Sequence, residues 1–271
     1  MAKISDETRA RYLGRIQQYQ SNIAAILQAE KAALELIQQG GENPGLKRLA
    51  LAEDMLNLCS NYIVINGVSQ SLMETKNEDA LNEGRKALYK GILYMEEVVS
   101  NYIDVPFSDY EKKLEPIASL SAAERYRLVR KMGFSIELLE NAYGDNTKWK
   151  WSFVELEGRY AAVAKNIFDL KNALANTDPG SPNYEPTVYH LRLVKKILGV
   201  AADRYRQKYE LSTNRPDDFE QGIRFLGALR RIHINIGEQN EAEELKKRID
   251  AWTAKLKTDS KRKAEIPPKK A

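Results

Sequence analysis

Residues 149–174 read WKWSFVELEGRYAAVAKNIFDLKNAL. Within them Trp149, Phe153, Leu156, Tyr160, Val163, Ile167, Leu170 and Leu174 follow one another at alternating intervals of four and three. Apolar side chains at that spacing share one stripe of an α-helix, and a stripe this long has to be covered by other helices. The spacing predicts one helix over 147–175, about 43 Å long at a rise of about 1.5 Å per residue. It sets an all-α fold and points to no reaction.

Comparable stripes lie on both sides. Tyr12, Ile16, Tyr19, Ile23, Ile26, Glu30, Ala33 and Ile37 mark a first helix. Ser5 caps it, Asp6 and Glu7 suit its positive end, and Gly40-Gly41 stops it. Asn43-Pro44 opens a second helix that runs to about Met73, and the short connection predicts an antiparallel hairpin. A third helix is expected between Asn77 and Val105-Pro106, with Leu81, Leu88, Met95 and Tyr102 in one register. Gly84 and Gly91 repeat at the same interval, which points to a helix backbone packed close against that face. Over 108–143, Ser108-x-x-Glu111 and Ser121-x-x-Glu124 read as capping boxes, and Gly133 is expected to break or bend the helix. No strand pattern of useful strength occurs.

The segment 177–186, TDPGSPNYEP, holds three prolines and a glycine and is the expected domain boundary. The chain then reads as an elongated bundle of long antiparallel helices over 1–176, a three-helix bundle over 187–257 and a disordered basic tail over 258–271. The three late helices fall near 187–211, 216–236 and 240–257. The last carries Ala242, Leu245, Ile249, Trp252 and Leu256, with Asn240 and Glu243 as its caps.

Composition narrows the function classes. In 271 residues, 43% hydrophobic and 30% charged fit a soluble helical protein. Fourteen Tyr against six Phe favours half-buried contacts in which a ring packs while its hydroxyl stays wet. The single cysteine, Cys59, excludes an intrachain disulfide. The chain has no apolar run of membrane-spanning length and no signal-like start, so a cytoplasmic location without a membrane span is expected. The net charge of +4 is uneven: residues 255–271 carry +5, leaving −1 for the rest. That distribution does not resemble a dedicated nucleic-acid-binding domain.

A search for chemistry returns little. The two histidines, His190 and His233, sit in no Glu-x-x-His motif of a di-iron bundle. One cysteine cannot build a Cys-rich zinc site. Gly40 to Gly45 has the outer glycine spacing of a phosphate loop, but Leu46 stands where that loop needs Lys. No catalytic, cofactor-binding or metal-ligating residues are expected. Two surface features remain. Arg192, Lys195 and Lys196 share a helix face that continues through Arg204, Arg206 and Lys208. In Lys148-Trp149-Lys150-Trp151, Trp149 belongs to the buried stripe, while Trp151 is turned about 200° away and is expected to be an exposed anchor flanked by Lys148 and Lys150.

Leu226, Leu229, Gly237, Ala242 and Ile249, with the run IGEQNEAEELKKRI, resemble a tetratricopeptide repeat. Arg230 stands where that family has glycine and His233 where it has tyrosine. The resemblance covers about thirty residues and a single repeat. It implies a helical hairpin that binds peptides or proteins and performs no catalysis. With no catalytic constellation or cofactor motif, and with long amphipathic helices, Tyr-rich stripes and a basic tail, the expected function is a non-enzymatic scaffold, adaptor or assembly component with protein partners and possible homo-oligomers. The alternative is a nucleic-acid-associated protein using the basic tail for weak contact, together with the 192–208 face.

Overall fold

The computed structural model describes residues 5–145 and 147–265, and no described residue lies in a strand. The α-helices are α1 (Asp6–Gln38), α2 (Pro44–Met73), α3 (Glu78–Val99), α4 (Ala122–Tyr143), α5 (Lys150–Asn166), α6 (Leu170–Ala175), α7 (Tyr184–Lys208), α8 (Pro216–Asn235) and α9 (Gln239–Glu265). Short 3₁₀ segments occupy Phe107–Asp109 and Glu111–Ile117, and a π-helical turn, Tyr209–Thr213, ends α7. The all-α class read from the stripes is the observed one.

The chain forms two compact units, one from Met1–Ser100 and Lys112–Leu156, the other from Asn101–Glu111 and Glu157–Ala271. The division differs from the one expected. The 177–186 segment lies inside the second unit, and one division falls within α5, because packing there depends on what surrounds the helix and leaves no linker in the sequence.

In the first unit α2 is the central element. Leu51, Ala52, Met55, Leu56 and Cys59 on it are almost completely buried. Gly91 of α3 explains how closely its neighbour approaches. A Cβ there would lie 3.2 Å from Met55 Cβ and 3.3 Å from the Ala52 carbonyl oxygen. That is tighter than ordinary contact, so glycine at 91 eases the close approach of the two helices, whereas the nearest atoms at Gly84 belong to side chains, Leu139 Cδ1 at 3.3 Å and Tyr62 Cβ at 3.5 Å. α1 is different: its buried seam is Ile16 and Glu30 alone. Ile16 joins Ile65 and Ala80, with Tyr12, Tyr19 and Ile23 half-buried around them. Glu30 is tolerated inside because Lys90 lies 2.6 Å from one carboxylate oxygen and the Tyr94 hydroxyl donates to the other.

Several local expectations need correction. Tyr102 lies beyond α3, which ends at Val99, and is exposed. The Ser121–Glu124 capping box is present, but Ser108 caps nothing, since its hydroxyl meets Asp109 at 3.2 Å. α4 passes through Gly133 unbroken. α9 begins at Gln239, so Asn240 is already inside the helix.

The decisive stripe is buried at Phe153, Leu156, Tyr160, Val163, Ile167 and Leu170, yet it does not form one helix. Trp149 precedes α5, and α5 stops at Asn166 after 17 residues, about 25 Å. Asp169 caps the following α6, its carboxylate accepting from the Asn172 N–H at 3.0 Å, and Leu174 is exposed. A good N-cap inside a periodic run was the signal for this break.

In the second unit α7, α8 and α9 pack in succession. Tyr209 stacks on Phe219 at 4.9 Å, Tyr205 on Phe225 at 5.6 Å, and Phe219 meets Trp252 at 5.4 Å. Gly222 admits the Ala202 carbonyl oxygen to 3.0 Å of where a Cβ would stand. α9 continues to Glu265, so 258–265 is helical and not disordered; the last part of the expected tail, 266–271, lies outside the described residues.

Candidate interaction site

The α8–α9 hairpin turns at Gly237, whose φ of +81° suits glycine. One side of the pair is tied to α7. Trp252 lies beneath the guanidinium groups of Arg206 and Arg248, at 5.2 and 4.6 Å. Arg248 also pairs with Asp203, Lys255 reaches Glu210 at 3.1 Å, and the Tyr209 hydroxyl donates to Asp259 at 3.0 Å.

A different side of the same pair holds an open groove of about 560 Å³. α8 contributes Glu220, Ile223 and Arg224 to it. α9 contributes Thr253, Leu256, Lys257, Ser260 and Lys261. On each helix these residues stand three or four apart, so each set is one continuous face. Ile223, Thr253 and Leu256 are half-buried, while Glu220, Arg224, Lys257 and Lys261 stay exposed. The result is an apolar floor between charged walls, three basic and one acidic. Sequence reading missed it by assigning Leu256 to the core stripe.

The surfaces expected from sequence fare unevenly. Trp151 is half-buried, not openly exposed, with the Lys150 ammonium 5.4 Å from its ring centre. Trp149 is also only half-buried. The Arg85 guanidinium sits 3.9 Å over its ring and Lys148 lies at 5.4 Å. The basic face of α7 is largely neutralised within the unit. Lys195 holds Glu238 at 2.6 Å, Arg204 holds Glu157 at 2.9 Å, Arg206 holds Glu210 at 3.0 Å and Lys208 holds Asp218 at 2.8 Å. Arg192 and Lys196 remain exposed.

Two polar centres were not foreseen. Lys165, 5% exposed, lies 4.3 Å over the Tyr110 ring. Burial pushes its amine down to about 7; Arg231 adds to the shift and Asp104 opposes it. Burial likewise raises the Tyr110 hydroxyl. Arg231 donates twice to one oxygen of Asp104, at 3.0 and 3.1 Å. A neutral amine is a competent base or nucleophile. Yet the nearby cavity of about 350 Å³ is walled by residues such as Phe107, Leu170 and Arg231, and Lys165 is not in that wall. The second centre is at the hairpin turn, where donor atoms of His233, Glu238 and Glu241 lie within 4.8 Å of one another. His233 Nδ1 is 2.5 Å from Glu238, whose carboxyl the Lys195 hydrogen bond holds below the usual carboxylate range. The Lys195 ammonium thus already balances this carboxylate, where a metal ion would have to compete with it.

The fold and these surfaces define an all-helical protein of two units whose C-terminal hairpin carries an open amphipathic face. The chain belongs to the TP0443 family, whose profile matches residues 8–260. No curated protein and no solved structure matches it.

Proposed function

We propose that this chain is a non-enzymatic helical scaffold or adaptor that works through protein–protein contacts. The observation that carries the reading is the α8–α9 groove, an apolar floor between charged walls built from two regular helix faces. Helix grooves of this kind receive amphipathic segments of partners. The half-buried Trp151, flanked by Lys148 and Lys150, offers a second contact. The reading places the chain in the cytoplasm, where buried Cys59, its thiol pushed up to about 12 by burial, stays an inert thiol. No helix is long and apolar enough to cross a membrane among the described residues.

The test is cross-linking mass spectrometry on the full chain tagged in its native cell. A partner recovered in fixed ratio, with cross-links on α8 or α9, supports the reading. A chain that always purifies alone overturns it.

Nucleic-acid association is the second reading, favoured by exposed Arg192 and Lys196 and by the basic tail. It has less support, because Lys195, Arg204, Arg206 and Lys208 already face carboxylates. Salt-sensitive retention on DNA or RNA columns that is lost on deleting 258–271 would favour it.

A further inference from the structure

We infer that the α8–α9 groove receives one acidic amphipathic helix from a partner protein, a step that rests on the adaptor reading above. Length comes first. The α9 wall runs from Thr253 to Lys261, which is about 12 Å along the helix at about 1.5 Å per residue. That is a little over two turns, enough for two or three side-chain anchors of a docked helix. Floor chemistry comes second. Ile223 and Leu256 are aliphatic and Thr253 presents a methyl group, so the anchors are aliphatic or aromatic side chains spaced three and four apart.

Charge selects among occupants. The walls hold Arg224, Lys257 and Lys261 against Glu220, a net +2 around an apolar floor. Glutamate or aspartate flanking the anchors meets these cations, and a basic segment is repelled. The chain's own end is disfavoured on this ground, since residues 266–271 carry Lys269 and Lys270 and no acid. A single nucleic-acid strand is disfavoured on another. Such strands are held by aromatic platforms on which bases stack, and no residue of this groove is aromatic.

The site is absent from the stripe pattern for a physical reason. Trp252, on the side of α9 that faces α7, is 5% exposed under Arg206 and Arg248, whereas Leu256, one turn on in the same stripe, is only half-covered. The row Arg248, Trp252, Lys255 and Asp259 meets α7 and its π-helical turn, and Leu256 stands beside that row, at the edge of the covered side.

The experiment uses the full chain and two fluorescein-labelled designed peptides of about 15 residues, long enough to hold a helix. Both place leucines at spacings of three and four; one has glutamates on its flanks and the other lysines. Anisotropy should give an affinity at least about tenfold tighter for the glutamate peptide. The double variant Lys257→Glu/Lys261→Glu, confined to exposed side chains, should invert that order without changing the fold as read by circular dichroism. Leu256→Glu should abolish binding of both peptides. Equal binding of the two peptides, or a preference that survives the double reversal, overturns the inference. Light scattering that shows a dimer broken by Leu256→Glu also overturns it, by giving the groove to a second copy. Native partners cross-linked on another face, with Leu256→Glu having no effect on their recovery, overturn the groove while the adaptor reading stands. Absence of any native partner removes that reading instead.

Discussion

α5 and α9 carry similar stripes and have opposite surroundings. From Tyr160 to Phe168 every residue is buried, including Lys165 and Asn166. Along the described part of α9 only Ala242 and Trp252 are buried. Periodicity tells which side of a helix faces inward. It does not tell how many other sides are covered, and that number decides the response to mutation, the fate of a charge and the chance of meeting a partner.

The same substitution on each helix tests this most strongly. Leu156→Asp places a charge where the leucine is wholly buried and should cost about 3–5 kcal/mol. Leu256→Asp, at the half-covered groove, should cost under about 1 kcal/mol. Urea denaturation of both variants measures the difference; similar midpoints would break the comparison.

Lys165 gives the next effect. Its folded amine titrates near 7, against an ordinary value of 10.5. Between those values the unfolded chain binds a proton that the folded chain lacks, so this group makes stability rise with pH across the window. Below pH 7 both states are protonated and the full penalty of the buried charge is present. Lys165→Met should therefore stabilise the protein by about 2–4 kcal/mol near pH 6, an advantage that fades toward pH 10.5. The groups facing the amine are Asp104, Arg231 and Tyr110. Melting curves of both proteins from pH 6 to 10 should converge at the alkaline end; parallel curves would mean the amine is solvated.

A smaller contrast comes from adding volume. Ala164 on α5 has no exposed surface, so Ala164→Leu should cost about 1–3 kcal/mol through overpacking. Ala251 on α9 is exposed, and Ala251→Leu should stay within about 0.5 kcal/mol. Equal losses would mean that α9 is covered on a side where the structure leaves it open.

Much of the fold was legible in the sequence. Ser5 and Ser121 cap their helices as read, the third helix starts next to Asn77 as expected, and Gly91 marks the close approach of α2. The failures share one cause. Asp169 has the chemistry of a cap but sits inside a strong stripe, whose periodicity masks it. Gly133 looked like a breaker, but the packed face of α4 on either side of it in sequence, with Met132, Ser135 and Ile136 buried, holds the helix continuous. The groove was hidden because Leu256 is spaced like a core residue. The α7 basic face looked free because its acids, Glu157, Asp218 and Glu238, come from other stretches of the chain.

The sequence by itself determined the all-helical class, most helix limits and the residues that point inward, because caps and periodicity are local properties of the chain. Only the tertiary structure decided that α5 is enclosed while α9 keeps an open side, that Lys165 is buried away from water, and that the boundary between units falls inside a helix. Those outcomes depend on which distant segments surround each helix, and desolvation and charge pairing are set by that enclosure.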